Sequence, residues 1–217
     1  KPGDWVIIEL GHNDNGPYDH GRARASIPGI GTDSMVVTIQ ETGVVETVYS
    51  YGEYMRRFVR DVRSKGAYPV LCSLTPRNAW DDATTITRKR ETFTRWQQEI
   101  AHEMGVPWID LEGTTARKFE AYGPWKVNYM FYLDKIHTSE FGAKTNARSA
   151  AEAIAACEGL ALKEYLLPLD LPKETFVREA GKPVVFFTGD STVKNEDKDA
   201  DSMWGWGSVA HTVFNTK

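Results

Sequence analysis

The sequence is short of cysteine, of charge of one sign and of long apolar runs, and each shortage removes a class of protein. Two cysteines, Cys72 and Cys157, cannot staple a disulfide scaffold, and no Cys-x-x-Cys pair offers metal-ligand spacing. Both sit in apolar surroundings and read as small buried hydrophobes, a single bridge being the alternative. Cysteine usage therefore does not fix a compartment. The 26 Lys and Arg nearly balance 30 Asp and Glu, for a net charge of −4. No positive field exists to draw phosphate backbones, so nucleic acid is not an expected partner. No apolar run approaches the ~20 residues that span a bilayer, so no membrane is expected either. The longest, near Pro183–Phe187, has the length of a strand. Glycine and proline show no period, which excludes a fibrous repeat. There is no secretory-signal pattern. The chain opens on Lys1–Pro2–Gly3–Asp4 directly before a strand, which reads as the middle of a fold.

Aromatics are plentiful: seven Trp, nine Tyr and nine Phe supply a core and argue against disorder. A length of 217 residues fits one domain. Trp5–Leu10 is a short apolar run ended by Gly11, and reads as a buried strand. Residues 11–34 are rich in Gly, Asn, Asp and Pro and form a long loop, a length usually functional or disordered. Met35–Ile39 and Val44–Val48 flank Thr42–Gly43 as a hairpin. Helical spacing of Tyr54, Phe58, Val59 and Val62 predicts a helix over 51–65, stopped by Gly66. Residues 68–74 form a strand. A helix is expected over 85–104, with Phe93, Trp96, Ile100 and Met104 on one stripe and Arg88–Lys89–Arg90 on a solvated face. A strand over 106–110 and a short helix over 112–122 follow. A helix over 139–158 aligns Phe141, Ala147, Ala151, Ile154 and Cys157, with Thr138 or Ser139 as its cap. Residues 168–182 read as a connector, and Val184–Phe187 as one more buried strand. Strands alternating with helices argue for a parallel sheet covered on both faces.

In such a sheet, ligands bind beyond the carboxyl ends of the strands. Three polar sets fall there: Gly11–His12–Asn13–Asp14, Asp134–Lys135–Ile136–His137 and Gly189–Asp190–Ser191. Together they hold the parts of an acyl-transfer site. A serine hydroxyl is a weak nucleophile until a base removes its proton, and an imidazole titrates near neutrality. Asp134, three residues before His137, can accept the other ring N–H and fix the tautomer. Gly189 permits a tight turn that presents Ser191 with its N–H, and Asn13 can donate its amide to a developing oxyanion. Each piece alone is more often turn chemistry or a surface pair; their convergence on one edge is the argument. His20, His102 and His211 read as structural. Asp197–Lys198–Asp199–Ala200–Asp201 alternates acids as a calcium loop does, but has no Gly at the turn and no closing Glu, so it reads as an acidic loop. No metal and no cofactor is expected.

Gly189–Asp190–Ser191–Thr192–Val193, Gly11–His12–Asn13–Asp14 and Asp134-x-x-His137 resemble three of the four signature blocks of the SGNH/GDSL hydrolases. In detail they are similar to the rhamnogalacturonan acetylesterase group, carbohydrate esterase family 12. Gly205–Trp206–Gly207, Ser73–Leu74–Thr75–Pro76 with Trp80, and His137–Thr138–Ser139 with Gly142–Ala143 also match that pattern. The resemblance implies a three-layer α/β/α flavodoxin-like fold with a mainly parallel sheet, and hydrolysis of acetyl esters on secreted or periplasmic encounter with plant polysaccharide. It implies Ser191 as nucleophile, His137 as base, Asp134 as orienting acid, and the Ser191 N–H and Asn13 as oxyanion donors. His12 and Trp80 are the implied substrate contacts. For His12 a satisfied structural histidine competes, and for Trp80, Trp125 and Trp204 core packing competes with stacking on sugar rings.

Two departures stand against the family pattern. The Ser block comes last here, although it opens the family's domain, and the Gly block with its oxyanion N–H has no match. Gly16 and Gly21 lie in the long loop without fitting that block. Circular permutation, a cut from a tandem pair, and residues absent from the sequence are three explanations. On the first, residues 1–167 and 183–217 form one fold through the 168–182 connector. Fully extended, its 15 residues reach ~50 Å, beyond a domain radius of roughly 17 Å. Closure within one chain and segment exchange in a homodimer are both allowed. The expected function is a serine carbohydrate esterase acting on O-acetyl groups of a pectin-like polysaccharide. Alternatives are an acetylxylan or short-chain lipid esterase, or a catalytically weak carbohydrate-binding domain, since one lost oxyanion donor costs about 10²–10³ in rate.

Overall fold

A computed structural model describes residues 1–89, 91–167, 185–193 and 204–214. Four strands form a parallel sheet: β1 (Trp5–Glu9), β4 (Tyr68–Cys72), β5 (Trp108–Ile109) and β6 (Val185–Gly189), in the order β5-β4-β1-β6. The last strand in sequence thus lies beside the first, with Trp5 opposite Val185 and Glu9 opposite Gly189. A separate antiparallel hairpin, β2 (Ser34–Thr38) and β3 (Val45–Tyr49), sits within one residue of its expected bounds.

Alternation along the parallel strands sends neighbouring residues to opposite faces. Ile7, Val70, Cys72 and Ile109 pack on one face with α4 (Glu140–Ala156) and a 3-10 helix, Trp206–Thr212. Ile8, Leu71 and Leu74 pack on the other with α1 (Tyr51–Ser64) and α2 (Phe93–Met104). The sheet is therefore covered on both sides, as its apolar strands require. Helices start where side chains satisfy their first N–H groups: Ser50 accepts from Glu53 N, Asp110 from Gly113 N and Ser139 from Gly142 N.

Three expectations need correction. The helix expected over 85–104 begins at Phe93. Upstream, backbone donors are taken by carboxylates of α3 (Leu111–Asn128) instead of by helix carbonyls: Ile86 N–H donates to Glu120 at 3.2 Å and Lys89 N–H to Glu112. Arg88 is accordingly no solvated helix residue; its guanidinium grips Glu120 at 2.6 and 2.8 Å. Second, α3 runs past Tyr122 to Asn128, broken at Gly123, whose φ of 77° precedes Pro124. Third, Phe141 and Phe58 sit on exposed sides of their helices rather than on the buried stripes. Both cysteines are free, Cys72 buried and Cys157 half-buried. The 168–182 connector, Arg90 and the Asp197–Asp201 stretch lie outside the described residues. Among the described residues no helix is long and apolar enough to cross a membrane, and no group of three or more His, Cys, Asp or Glu is placed to hold a metal.

Candidate active site

Two of the three polar sets, Gly11–Asp14 and Gly189–Ser191, leave the sheet at its carboxyl edge, and the third, Asp134–His137, follows α3. Because Glu9 and Gly189 are in register, the chain after β1 carries Asn13 and the chain after β6 carries Ser191 out from adjacent strands. Gly189 is required by close approach: a Cβ there would stand 2.4 Å from Val193 Cγ2 and 2.5 Å from the Glu9 carbonyl oxygen. Asn13 lies half-buried in the turn that follows β1.

His137 reaches the site from the segment between α3 and α4. Its Nε2 lies 2.7 Å from Ser191 Oγ and its Nδ1 2.6 Å from Asp134 Oδ2, all within one chain. Asp134 divides its two oxygens. Oδ1 accepts the backbone N–H groups of Ile136 and His137 at 2.7 Å each, and Oδ2 faces the ring. Burial alone would raise the Asp134 carboxyl, but the His137 ring and these two N–H groups outweigh it and hold the carboxyl below its ordinary range. Nδ1–H donates to Asp134, which leaves the Nε2 lone pair pointing at the Ser191 hydroxyl.

The C-terminal segment clasps base to nucleophile. Thr138 bonds Trp204 in both directions, through its carbonyl at 2.9 Å from Trp204 N and through its hydroxyl to the Trp204 carbonyl. Trp206 N–H then donates to the Thr192 carbonyl at 2.8 Å, and Gly207 N–H to that of Val193 at 3.1 Å.

Beneath the serine lies a group that the sequence reading passed over. Glu9, fully buried at the end of β1, receives donors from four directions. Oε1 accepts the Thr75 N–H at 2.9 Å and faces His12 Nε2 at 3.3 Å; Oε2 accepts the Thr192 hydroxyl at 3.0 Å and the Trp206 indole N–H at 3.3 Å. The available signal was an acid inside an otherwise apolar strand, since a buried acid needs partners.

His12, expected among the substrate contacts, has only 5% of its side chain exposed. Its ring is engaged by Glu9 and, at 3.2 Å, by Thr75 Oγ1, which is the arrangement of a satisfied structural histidine. Burial lowers its affinity for a proton, but the hydrogen bond and charge of Glu9, with Asp190 behind, raise its pKa above 6.5 against the opposing charge of Arg77. Trp80 is half-buried against Ile86 and Phe119, with its indole N–H on Asn78 Oδ1 at 3.0 Å. It bears on the site indirectly, because Asn78 N–H donates to the Lys135 carbonyl at 2.8 Å.

A serine–histidine–aspartate relay at the carboxyl edge of a doubly covered parallel sheet defines an α/β acyl hydrolase. Residues 1–145 match the GDSL-like Lipase/Acylhydrolase family, to which this chain belongs. That match ends before Ser191. The chain is 34% identical over 175 residues to the rhamnogalacturonan acetylesterase of Emericella nidulans, covering 80% of this chain and 69% of that one. It is 28% identical to the rhamnogalacturonan acetylesterase RhgT of Bacillus subtilis, over 76% of this chain and 66% of the other. The crystal structure of the Bacillus subtilis protein YXIM superposes with a TM-score of 0.55 at 22% identity, covering 74% of this chain and 39% of that one. The chain thus spans about two thirds of the length of these curated relatives and well under half of the solved structure.

Proposed function

We propose that this protein is a serine carbohydrate esterase that removes O-acetyl groups from a rhamnogalacturonan-like polysaccharide. The 2.7 Å contact between His137 Nε2 and Ser191 Oγ, with Asp134 on the opposite ring nitrogen, carries the reading. The Ser191 oxygen attacks the acetyl carbonyl carbon while its proton passes to His137 Nε2. The Ser191 N–H and Asn13 amide stabilise the oxyanion. Collapse breaks the bond to the sugar oxygen, which takes the proton back from His137. Water, deprotonated by the same nitrogen, attacks the acetyl-serine; acetate leaves and Ser191 regains its proton. His137 never releases its bond to Asp134, so the ring stays oriented through both halves.

The same reading takes residues 1–167 and the Ser191 segment as one domain in permuted order, acting on polymer outside the cytoplasm. The parallel pairing of β6 with β1 supports it. The test is hydrolysis of p-nitrophenyl acetate by wild type and Ser191→Ala, followed by acetate release from acetylated rhamnogalacturonan and acetylxylan. The variant is expected to lose at least about 10³ in rate. Equal rates for the two proteins sink the mechanism. Preference for acetylxylan moves the substrate, not the chemistry.

A further inference from the structure

Large apolar side chains are exposed together on one part of the described surface, the end of α3 and the segment that follows. Trp125 is 77% exposed, Tyr129 62% and Leu133 84%, and Tyr122, Tyr132 and Phe141 flank them. Trp125 and Tyr129 meet edge to face with centroids 5.1 Å apart, and Tyr122 and Phe141 lie 6.3 Å apart. Contiguous apolar surface facing water marks a place where something binds.

This surface is continuous with the candidate relay. Leu133 directly precedes Asp134. The Tyr132 N–H donates to the His137 carbonyl at 2.9 Å, and Ser139 bonds the carbonyls of Met130 and Tyr129 at 3.0 and 2.9 Å. The backbone that carries Tyr129 and Tyr132 is therefore tied to the segment that positions the base, which makes the patch a candidate extension of the site. Two cations border the patch. Lys126 Nζ stands 4.3 Å over the Tyr122 ring, and Lys135 is exposed beside Asp134. Of the nearby acids, Asp134 is committed to His137 and Glu140 is paired with Lys144.

We propose that Trp125, Tyr129 and Leu133, with Lys126, form a subsite for an acidic pyranose chain, the stretch of substrate polymer next to the acetylated sugar. This rests on the esterase reading and deepens it by naming the residues that take the units beside the acetylated sugar. The apolar C–H face of a pyranose ring matches an exposed indole or phenol, and a ring carboxylate matches Lys126. A chain that is only an acetyl ester on a small leaving group does not extend that far.

The experiment compares p-nitrophenyl acetate with acetylated rhamnogalacturonan for wild type, Trp125→Ala, Trp125→Phe, the Trp125→Ala/Tyr129→Ala double variant and Lys126→Ala. The double variant should hydrolyse the small ester at the wild-type rate and show KM on the polymer raised about tenfold, as the loss of aromatic contacts implies. Trp125→Phe should recover most of the loss. Lys126→Ala should weaken the acidic polymer and leave neutral acetylxylan unaffected. Wild-type KM on the polymer in the double variant overturns the subsite. Inactivity of wild type on both esters removes the esterase reading alone. The subsite is then tested by quenching of Trp fluorescence with de-acetylated rhamnogalacturonan oligosaccharide, where quenching lost in Trp125→Phe supports it and quenching unchanged overturns it. A wild-type dimer in sedimentation that Trp125→Ala dissolves assigns the surface to a second copy of the chain and overturns it too.

Discussion

Replacing Glu9 by Gln tests whether one buried acid holds the edge of the site together. The shapes are the same, but one oxygen becomes an NH2 group. If the amide faces Oε1's partners, the Thr75 N–H loses its acceptor; if it faces the others, the Trp206 indole N–H loses its own. A buried donor left unsatisfied costs about 1–3 kcal/mol. For a chain of this size 1 kcal/mol moves Tm by roughly 2–4 °C, so the expected loss is about 2–12 °C. The loss should also depend on pH through His12. Its pKa in the folded protein lies above the ordinary 6.5, so the stability this contributes is full below 6.5 and is lost as pH rises through the folded value. Without the Glu9 charge and hydrogen bond, burial outweighs the remaining attraction of Asp190, and Arg77 adds to it. The His12 pKa then falls below 6.5, and protonation begins to oppose folding. Thermal unfolding of both proteins across pH 5–8 should show a gap that widens toward acid. Asp14, near His12, is shared by both proteins, so its titration cancels in the difference to first order. A gap that is constant with pH refutes the coupling of His12 to Glu9, and no gap at all refutes the hub.

Two further outcomes follow from the geometry. Gly189→Ala places a methyl group against Val193 and the Glu9 carbonyl, neither of which is a flexible side-chain end. It should cost about 1–3 kcal/mol in chemical denaturation and lower esterase activity. Asp134→Asn should reduce kcat by about 10³–10⁴ on p-nitrophenyl acetate, because an amide can hold the wrong imidazole tautomer. Since the folded Asp134 pKa lies below 3.8, wild type gains stability above 3.8 and loses it as pH falls through the folded value; Asp134→Asn should lose that acid-side slope, read from Tm against pH.

The candidate relay was legible because it depends on local signals: a glycine turn after one strand, an amide after another, and an Asp-x-x-His pair on a third segment. Two of them sit at the carboxyl ends of strands that apolar runs alone identify, and the Asp-x-x-His pair lies between two helices. What escaped the sequence depends on partners far along the chain. Residues 85–89 have helical spacing, yet Glu112 and Glu120 supply acceptors that no local pattern announces. Glu9 looked like one polar letter in a buried strand, and its donors come from Thr75, Thr192 and Trp206, up to 197 positions away. His12 fell in a signature block, but its neighbour three residues earlier claims the ring.

The position of Ser191 near the end of the chain matters less than the linear order suggests. A parallel strand is held by register with its neighbours and by what covers its faces, and neither depends on which strand is read first. β6 meets β1 over five residue pairs, and Phe187 packs its ring on Trp206 at 5.0 Å. Those contacts are the same whether a connector enters β6 from one end of the domain or the other. Order enters through loop closure, whose cost grows only with the logarithm of length, about 0.6 kcal/mol per doubling. The Glu9 hub adds a constraint that order does not relieve. Thr75, from the loop after β4, serves only one oxygen of Glu9; Thr192 and Trp206 from the last segment must also be present before the other is satisfied. A cut between residues 167 and 185 that left both pieces in solution should therefore allow reassembly, with activity restored only when the hub closes. Recovery of p-nitrophenyl acetate hydrolysis on mixing residues 1–167 with residues 168–217, lost again with Glu9→Gln in the first piece, is the expected result. No recovery with the wild-type pieces refutes the claim that register and the hub suffice.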